Sequence, residues 1–302
     1  MSKKYIKFSK PHHGNAEKNA LIKVINSGWL TTGKKTTLFE NNFKEYKNSK
    51  YALALNSCTA ALHTSLLLLN LKKGEEVITS AMTFSSTINS IIVSGAKPVL
   101  ADVELGTQNI DPIEIEKKIT KKTKAILIVH FAGRPCDMDK IMIIIKKYNL
   151  HLIEDCAHSI ESKYKGKHLG TFGTFGCFSF YATKNLSIGE GGMLITSNKR
   201  LYEKARILSL HGMDKAAWNR YGKQGYRHYD VSQIGYKYNL MDLLSVIGII
   251  QLKKINKHLK VRKQIFNMYL KNFQKQSFMM PDKWDPKIIQ HSYHLFNIFL
   301  DK

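Results

Sequence analysis

Residues 150–192 read LHLIEDCAHSIESKYKGKHLGTFGTFGCFSFYATKNLSIGEGG, and this stretch decides the fold. An apolar run ends in two carboxylates, Glu154 and Asp155. A second run, 176–180, is followed by Lys184. A third, 192–196, is entered through Gly189-Glu190-Gly191-Gly192. Short continuous apolar runs bounded by Gly, Asn and Asp are the pattern of strands buried on both faces. Working outward, the pattern recurs at 51–55, 76–79, 97–101, 125–130 and 150–154. Segments of helical periodicity fall at 59–69, 85–94, 112–119, 137–148 and 199–210. Strands alternating with amphipathic helices predict an α/β fold, a mostly parallel central sheet with helices on both faces. Beyond residue 238 the pattern changes to two long helices, 240–255 and 258–273. A loop with Pro281 and Pro286 follows, and then a strand-like run at 294–300. This predicts a large domain over 1–238. Residues 239–302 would supply linking helices and an incomplete, smaller α/β C-terminal domain.

Composition narrows the class. The 302 residues are 43% hydrophobic, a globular value and enough for a sizeable core. Cys58, Cys136, Cys156 and Cys177 are scattered, with no C-x-x-C pair, so buried reduced thiols are expected rather than a metal site or disulfides. No apolar run of about 18 residues occurs, and the opening MSKKYIKFSKPHH lacks the apolar core of a secretory signal. A cytoplasmic protein with no membrane partner is expected. Basic residues number 47 against 23 acidic ones, a net charge of +24. The lysines are dispersed in short clusters such as Lys117-Lys118 and Lys121-Lys122, without interleaved aromatics or a zinc-finger motif. Solvated surfaces, with some contribution from an anionic substrate, account for that better than a nucleic-acid partner.

Ligands of such sheets bind at the carboxyl ends of the strands, so the residues that follow each strand matter most. After 51–55 comes Asn56-Ser57-Cys58-Thr59-Ala60-Ala61, which reads as a helix start able to take a phosphate, or simply as an N-cap. After 150–154 comes Asp155, with His158 three residues on. A carboxylate there could keep a pyridine ring nitrogen protonated; the plain alternative is a helix cap. After 176–180 comes Lys184 in front of a glycine turn. Such a lysine, buried among neutral groups, would have the lowered pKa that a covalent cofactor lysine needs. Ser179 could offer a hydroxyl to a phosphate. Each residue alone has an ordinary explanation, but no single ordinary explanation covers all three in this order. Gly170-x-x-Gly173-x-x-Gly176 precedes a strand instead of opening a helix, so a nicotinamide site is rejected.

These residues resemble the DegT/DnrJ/EryC1/StrS sugar aminotransferases, a branch of the fold-type-I pyridoxal-phosphate enzymes. The resemblance runs from about Phe8 to Leu300. It is carried by Ser27-Gly28-Trp29-Leu30-Thr31-Thr32-Gly33, by residues 56–63, by Thr83-Phe84, by Glu154-Asp155-Cys156-Ala157-His158 and by residues 178–184. Gly189-Glu190-Gly191-Gly192, His211-Gly212 and Gly235-Tyr236-Lys237-Tyr238-Asn239 extend it, the last looking like the version in UDP-4-amino-arabinose-forming transaminases. The resemblance implies pyridoxal 5'-phosphate as cofactor, joined to Lys184, which would then shuttle a proton. It implies Asp155 at the ring nitrogen, Phe84 on the ring face and His158 beside it. Thr59, Ala60 and Ser179 would hold the phosphate. It further implies a homodimer with shared sites, in which Lys237 and Asn239 reach the neighbour's site and the loop bearing Trp29 and Thr31 lies against the substrate. That substrate would be a nucleotide-linked keto sugar, aminated with glutamate as donor for surface polysaccharide synthesis.

Relatives that act as dehydratases replace the lysine with histidine, so Lys184 favours transamination, and four scattered cysteines do not suit the iron–sulfur cluster of deoxygenating relatives. Two departures stand out. Gly33-Lys34 replaces the usual Gly-Pro, and family members run on past the His-x-x-His-Leu-Phe segment, so a shortened C-terminus with an exposed final strand is expected. That shortening and the +24 charge motivate the rival reading, a catalytically impaired or regulatory protein on the same fold. Retention of both Lys184 and Asp155 argues against it.

Overall fold

The computed structural model describes residues 7, 9–213, 221–222, 225–226, 230–276 and 281–300; Phe8 lies outside them. Two helices come first, α1 (Asn15–Asn26) and α2 (Lys34–Lys47). The periodicity reading named neither. Their N-caps, Gly14 and Gly33, have no capping side chain, so the local start signal is missing. The acceptors are other side chains, one local and one distant. Glu17 reaches back to the Gly14 N–H at 2.9 Å. Asp242 accepts from the N–H groups of Gly33, Lys35 and Thr36 and from the Thr36 hydroxyl, at 2.8–3.1 Å.

The chain then alternates as expected: β1 (Tyr51–Leu55), α3 (Cys58–Leu68), β2 (Glu76–Ser80), α4 (Ser85–Val93), β3 (Lys97–Ala101), α5 (Pro112–Lys118), β4 (Thr123–Val129), α6 (Met138–Tyr148) and β5 (His151–Asp155). A small hairpin, β6 (Lys163–Tyr164) and β7 (Lys167–His168), precedes β8 (Phe175–Ser179), β9 (Gly192–Thr196) and α7 (Lys199–Leu208). A second, β10 (Tyr221–Gly222) and β11 (Gly225–Tyr226), precedes α8 (Asp242–Phe273) and β12 (Ile289–Gln290). Among the described residues the main sheet has seven strands in the order β1-β9-β8-β5-β4-β2-β3. It is parallel except at β9, which runs antiparallel to both neighbours. The β8–β9 connection carries no helix to bring the chain back parallel, so it returns antiparallel.

Each face of the sheet has its own apolar layer. Along β5, Leu152 belongs to the layer built with α2, α6 and α8, while Ile153 belongs to the layer built with α3. Side chains alternate across a strand, so Glu154 and Asp155 leave on opposite faces. On the first face Phe39, Phe43, Phe178 and Phe180 interlock with ring centroids 5.1–6.2 Å apart. All four are fully buried, and burying each contributes about 2–3 kcal/mol. Gly248 lets α8 approach them: a Cβ there would sit 2.6 Å from the Phe39 ring.

Two expectations are corrected. The predicted helices 240–255 and 258–273 are one 32-residue helix, α8, because Asn256-Lys257 is polar but neither Gly nor Pro and so need not break it. The strand expected at 294–300 does not form. The N–H groups of His294 and Leu295 both bond the Ala132 carbonyl, and Phe296 packs on Phe266 and Tyr269 of α8. Phe296 of this apolar run thus covers a face of α8. Among the described residues no helix is long and apolar enough to cross a membrane.

Candidate active site

The carboxyl edges of β4, β5 and β8 and the N-terminal turns of α3 and α4 enclose a cavity of about 450 Å³. That is within the range of small-molecule sites. Thr59, Phe84, Asp155, His158, Ser179 and Lys184 all line it. Six of the positions picked from the sequence therefore meet in one place.

The cavity's anion end is the start of α3. Ser57 caps the helix by accepting the Ala60 N–H at 3.0 Å. Ala60 is therefore buried with its N–H already committed, while Thr59 and Ser179 present hydroxyls at the cavity wall. A helix N-terminus favours an anion there. Gly192 makes this turn possible: a Cβ on it would lie 2.4 Å from the Ser57 carbonyl and 2.5 Å from the Cys58 nitrogen.

Asp155 ends β5, 4% exposed. Its Oδ1 accepts the Ala157 N–H at 3.0 Å and its Oδ2 the Thr87 hydroxyl at 3.0 Å. Burial raises its pKa, and the two hydrogen bonds and the charge of Lys184 pull back. Lys184 stands in the turn after β8, its own N–H bonded to the Tyr181 carbonyl at 2.9 Å. Burial lowers the pKa of its amine, with Asp155 and Cys58 opposing. Each group thus meets its opposite charge in a site that disfavours both charges. His158 accepts the Ala132 N–H on Nδ1 at 3.3 Å and packs against His294 with centroids 4.4 Å apart. Burial, and then Lys184, push its pKa down to about 3, so its ring is neutral. Phe84 is 75% exposed, an aromatic face turned to open space beside these groups.

The remaining four predicted residues do not join the cavity of this chain. Trp29 donates its indole N–H to the Thr32 carbonyl at 3.2 Å and is 46% exposed. The Thr31 carbonyl accepts the Asp242 N–H at 3.0 Å. Asn239 donates to the Thr32 hydroxyl, which in turn donates to the Leu240 carbonyl. The Lys237 carbonyl accepts from Asn56 at 3.1 Å. The 29–32 loop and the 237–240 segment are therefore tied to each other. Sequence reasoning missed Cys58, Thr83 and Thr87 as members of the site. Thr83 and Thr87 are one helical turn apart beside Phe84, a spacing that could have flagged them.

Among the described residues, His130, Glu154 and Cys156 are the one cluster that could hold a metal ion. Its lone pairs are taken. Glu154 accepts the N–H groups of Gly170, Phe172 and Gly173 at 2.7–2.8 Å. His130 accepts the Cys136 N–H on Nδ1, which leaves Nε2 to donate to Glu154. This is a hydrogen-bonded strut beneath β5.

The model of the DegT/DnrJ/EryC1/StrS aminotransferase family matches residues 11–302. The chain belongs to this family. The spore coat polysaccharide biosynthesis protein SpsC of Bacillus subtilis is 43% identical over 299 residues, covering 99% of this chain and 76% of that protein. The sugar aminotransferase Spr1654 of Streptococcus pneumoniae, described as putative and solved in its PLP form, superposes with a TM-score of 0.89 at 31% identity, covering 97% of this chain and 77% of that one. Helicobacter pylori PseC, an aminotransferase involved in the biosynthesis of pseudoaminic acid, gives 0.89 at 31%, covering 99% and 78%. The family is pyridoxal-phosphate dependent, and Spr1654 is also known in a PMP form. The cavity suits that cofactor: an anion end at α3, an exposed aromatic face, a buried carboxylate and a buried amine. Thr59 and Ser179 would hold its phosphate, Phe84 its ring face, Asp155 its nitrogen and Lys184 its aldehyde carbon.

Proposed function

We propose that this aminotransferase converts the keto group of a nucleotide-linked sugar to an amine, taking the amino group from glutamate. The observation that carries the reading is the meeting of Asp155 and Lys184 in one cavity with the α3 N-terminus. When bound, pyridoxal phosphate supplies the electron sink for breaking a C–H bond next to nitrogen. The rest of the chemistry falls to the chain. Lys184, with a depressed pKa, is a neutral amine for a larger fraction of the time and can take a proton from the donor carbon and return it at the cofactor carbon. Asp155 would hold a proton on the ring nitrogen. His158, neutral and fixed by Ala132, would lie beside the ring without adding charge.

The likeness to SpsC supports a destination in surface polysaccharide, and the +24 charge suits a diphosphate-bearing substrate. The reading includes a homodimer, as is typical of this fold, in which Trp29, Thr31, Lys237 and Asn239, all outside the cavity of their own chain, complete a partner's site: the first pair would touch substrate, Lys237 would meet it from across the interface, and Asn239 would reach the cofactor. In this reading the division falls near residue 238, with 1–238 binding the cofactor and 239–302 opening a second unit, and the enzyme works in the cytoplasm. The test is visible absorbance of purified protein with added pyridoxal phosphate, then borohydride and peptide mass mapping. A trapped pyridoxyl group on Lys184, with amino transfer from glutamate to a nucleotide keto sugar, is expected. Label scattered over surface lysines overturns the cofactor assignment. Label on Lys184 without transfer overturns the substrate assignment.

A further inference from the structure

The carboxylate of Asp155 is held by more than its own strand. Thr87, fully buried on α4, donates its hydroxyl to Oδ2 at 3.0 Å. Thr83, which lines the cavity, donates to the Thr87 oxygen at 2.7 Å. An ionised carboxylate only accepts, so the single Thr87 proton is committed to Asp155 and the proton between the two threonines is that of Thr83. The hydroxyls form a one-way chain ending on Asp155. On the other oxygen, the Ala157 N–H donates at 3.0 Å and the Cys58 thiol lies 4.0 Å away, sulfur to oxygen. Burial, and then the Asp155 charge, push the Cys58 thiol well up, so it keeps its proton and acts as a donor. A carboxylate offers about four acceptor positions. The three donors leave room for one more, and Asp155 lines the cavity.

We propose that Thr87, oriented by Thr83, and the Cys58 thiol are positioning residues that keep Asp155 ionised and fixed so that it can hold a proton on the ring nitrogen of the cofactor. The inference rests on the reading of Asp155 as the partner of that nitrogen. The groups facing Asp155 act in both directions. Burial sits on the side of neutrality, and the Ala157 and Thr87 hydrogen bonds and the charge of Lys184 favour the ionised form. Removing one donor from a balance of this kind moves it by about one pKa unit.

The experiment compares Thr87→Val with Thr87→Ser, and Cys58→Ala with Cys58→Ser, in the full chain. Asp155 is titrated by carboxyl carbon NMR in cofactor-free protein, with Asp155→Asn assigning the signal. The ring nitrogen is read by nitrogen NMR after loading labelled pyridoxal phosphate. Thr87→Val is expected to raise the Asp155 pKa by about one unit, to shift the ring nitrogen toward its unprotonated position and to lower kcat about tenfold, with KM for the amino donor within about twofold. Thr87→Ser restores all three readouts. Cys58→Ala gives the same signature at about threefold, and Cys58→Ser reverses it. A Val variant that titrates like the wild type, or a Ser variant as impaired as Val, overturns the inference, the latter by showing that the methyl group's packing is what counts. If the wild-type ring nitrogen is itself unprotonated, the assignment of Asp155 fails and takes the inference with it. If that nitrogen is protonated in the wild type and unmoved in Thr87→Val, only the inference fails.

Discussion

Asp155 and Asp242 are equally hidden, each 4% exposed, yet the chain treats them in opposite ways. Asp242 opens α8 and is saturated: four donors from the first turn of α2 close around it. Asp155 closes β5 at a cavity, with two hydrogen bonds of 3.0 Å, a distant thiol and open space beside it. The first carboxylate does structural work because nothing remains to bind. The second is available for chemistry because its surroundings stop short of satisfying it. Burial alone does not separate the two; the tally of donors does.

Three variants test this contrast. Lys184→Ala should have the largest effect, a loss of amino transfer of about 10⁴-fold measured as turnover, with an unchanged melting temperature. An equally large drop in melting temperature would make Lys184 structural and erase the distinction. Asp155→Asn should cost about 10²- to 10³-fold in kcat while leaving the denaturant midpoint unchanged or raised, since a buried charge is removed. Asp242→Ala should reverse the pattern. Four donors lose their acceptor, and unfolding in urea should show a loss of about 2–4 kcal/mol. A midpoint shift no larger than that of Asp155→Asn would break the comparison.

The smallest effect concerns Glu17, 1% exposed, which joins α1 to α8 through Gln251 and Lys254. Burial alone would raise its pKa, but the bonds from Lys254, Gly14 and Gln251 outweigh it and bring it to about 2. Between that value and its ordinary 4.5 the unfolded chain binds more protons than the folded one, so stability rises with pH there. The contribution is complete above about pH 4.5 and is lost as pH falls toward 2. Glu17→Gln should cost about 2 kcal/mol at neutral pH and flatten the acid limb of a stability-versus-pH curve. An unchanged limb would show that Glu17 is not the group titrating.

The sheet was legible in the sequence because strands buried on both faces are continuous apolar runs, and six cavity residues were legible because they sit just past strands or at helix starts. The helices α1 and α2 were not. The carboxylate that starts α2 is Asp242, more than half the chain away, and a local pattern cannot announce it. Thr87 was missed for a related reason: it is one of several small polar residues at the start of α4, and only its spacing from Thr83 sets it apart until β5 places Asp155 opposite. The segment 294–300 was misread because a short apolar run fits a strand as well as it fits a cover on a helix surface.

The unbroken run of α8 sets a phase between two distant contacts. Its first turn carries Asp242 against α2, and Phe266 is the residue buried against Trp284, His291, Tyr293 and Phe296. A single residue inserted between them, for instance after Asn256, would turn the distal face by about 100° and take Phe266 off that cluster while Asp242 stayed in place. An insertion of four residues would bring the face back to within about 40° of its original bearing, displaced by about 6 Å along the axis. The length of this helix, counted in turns, is therefore part of the specification, alongside the few positions, such as Gly248, whose size is fixed by packing.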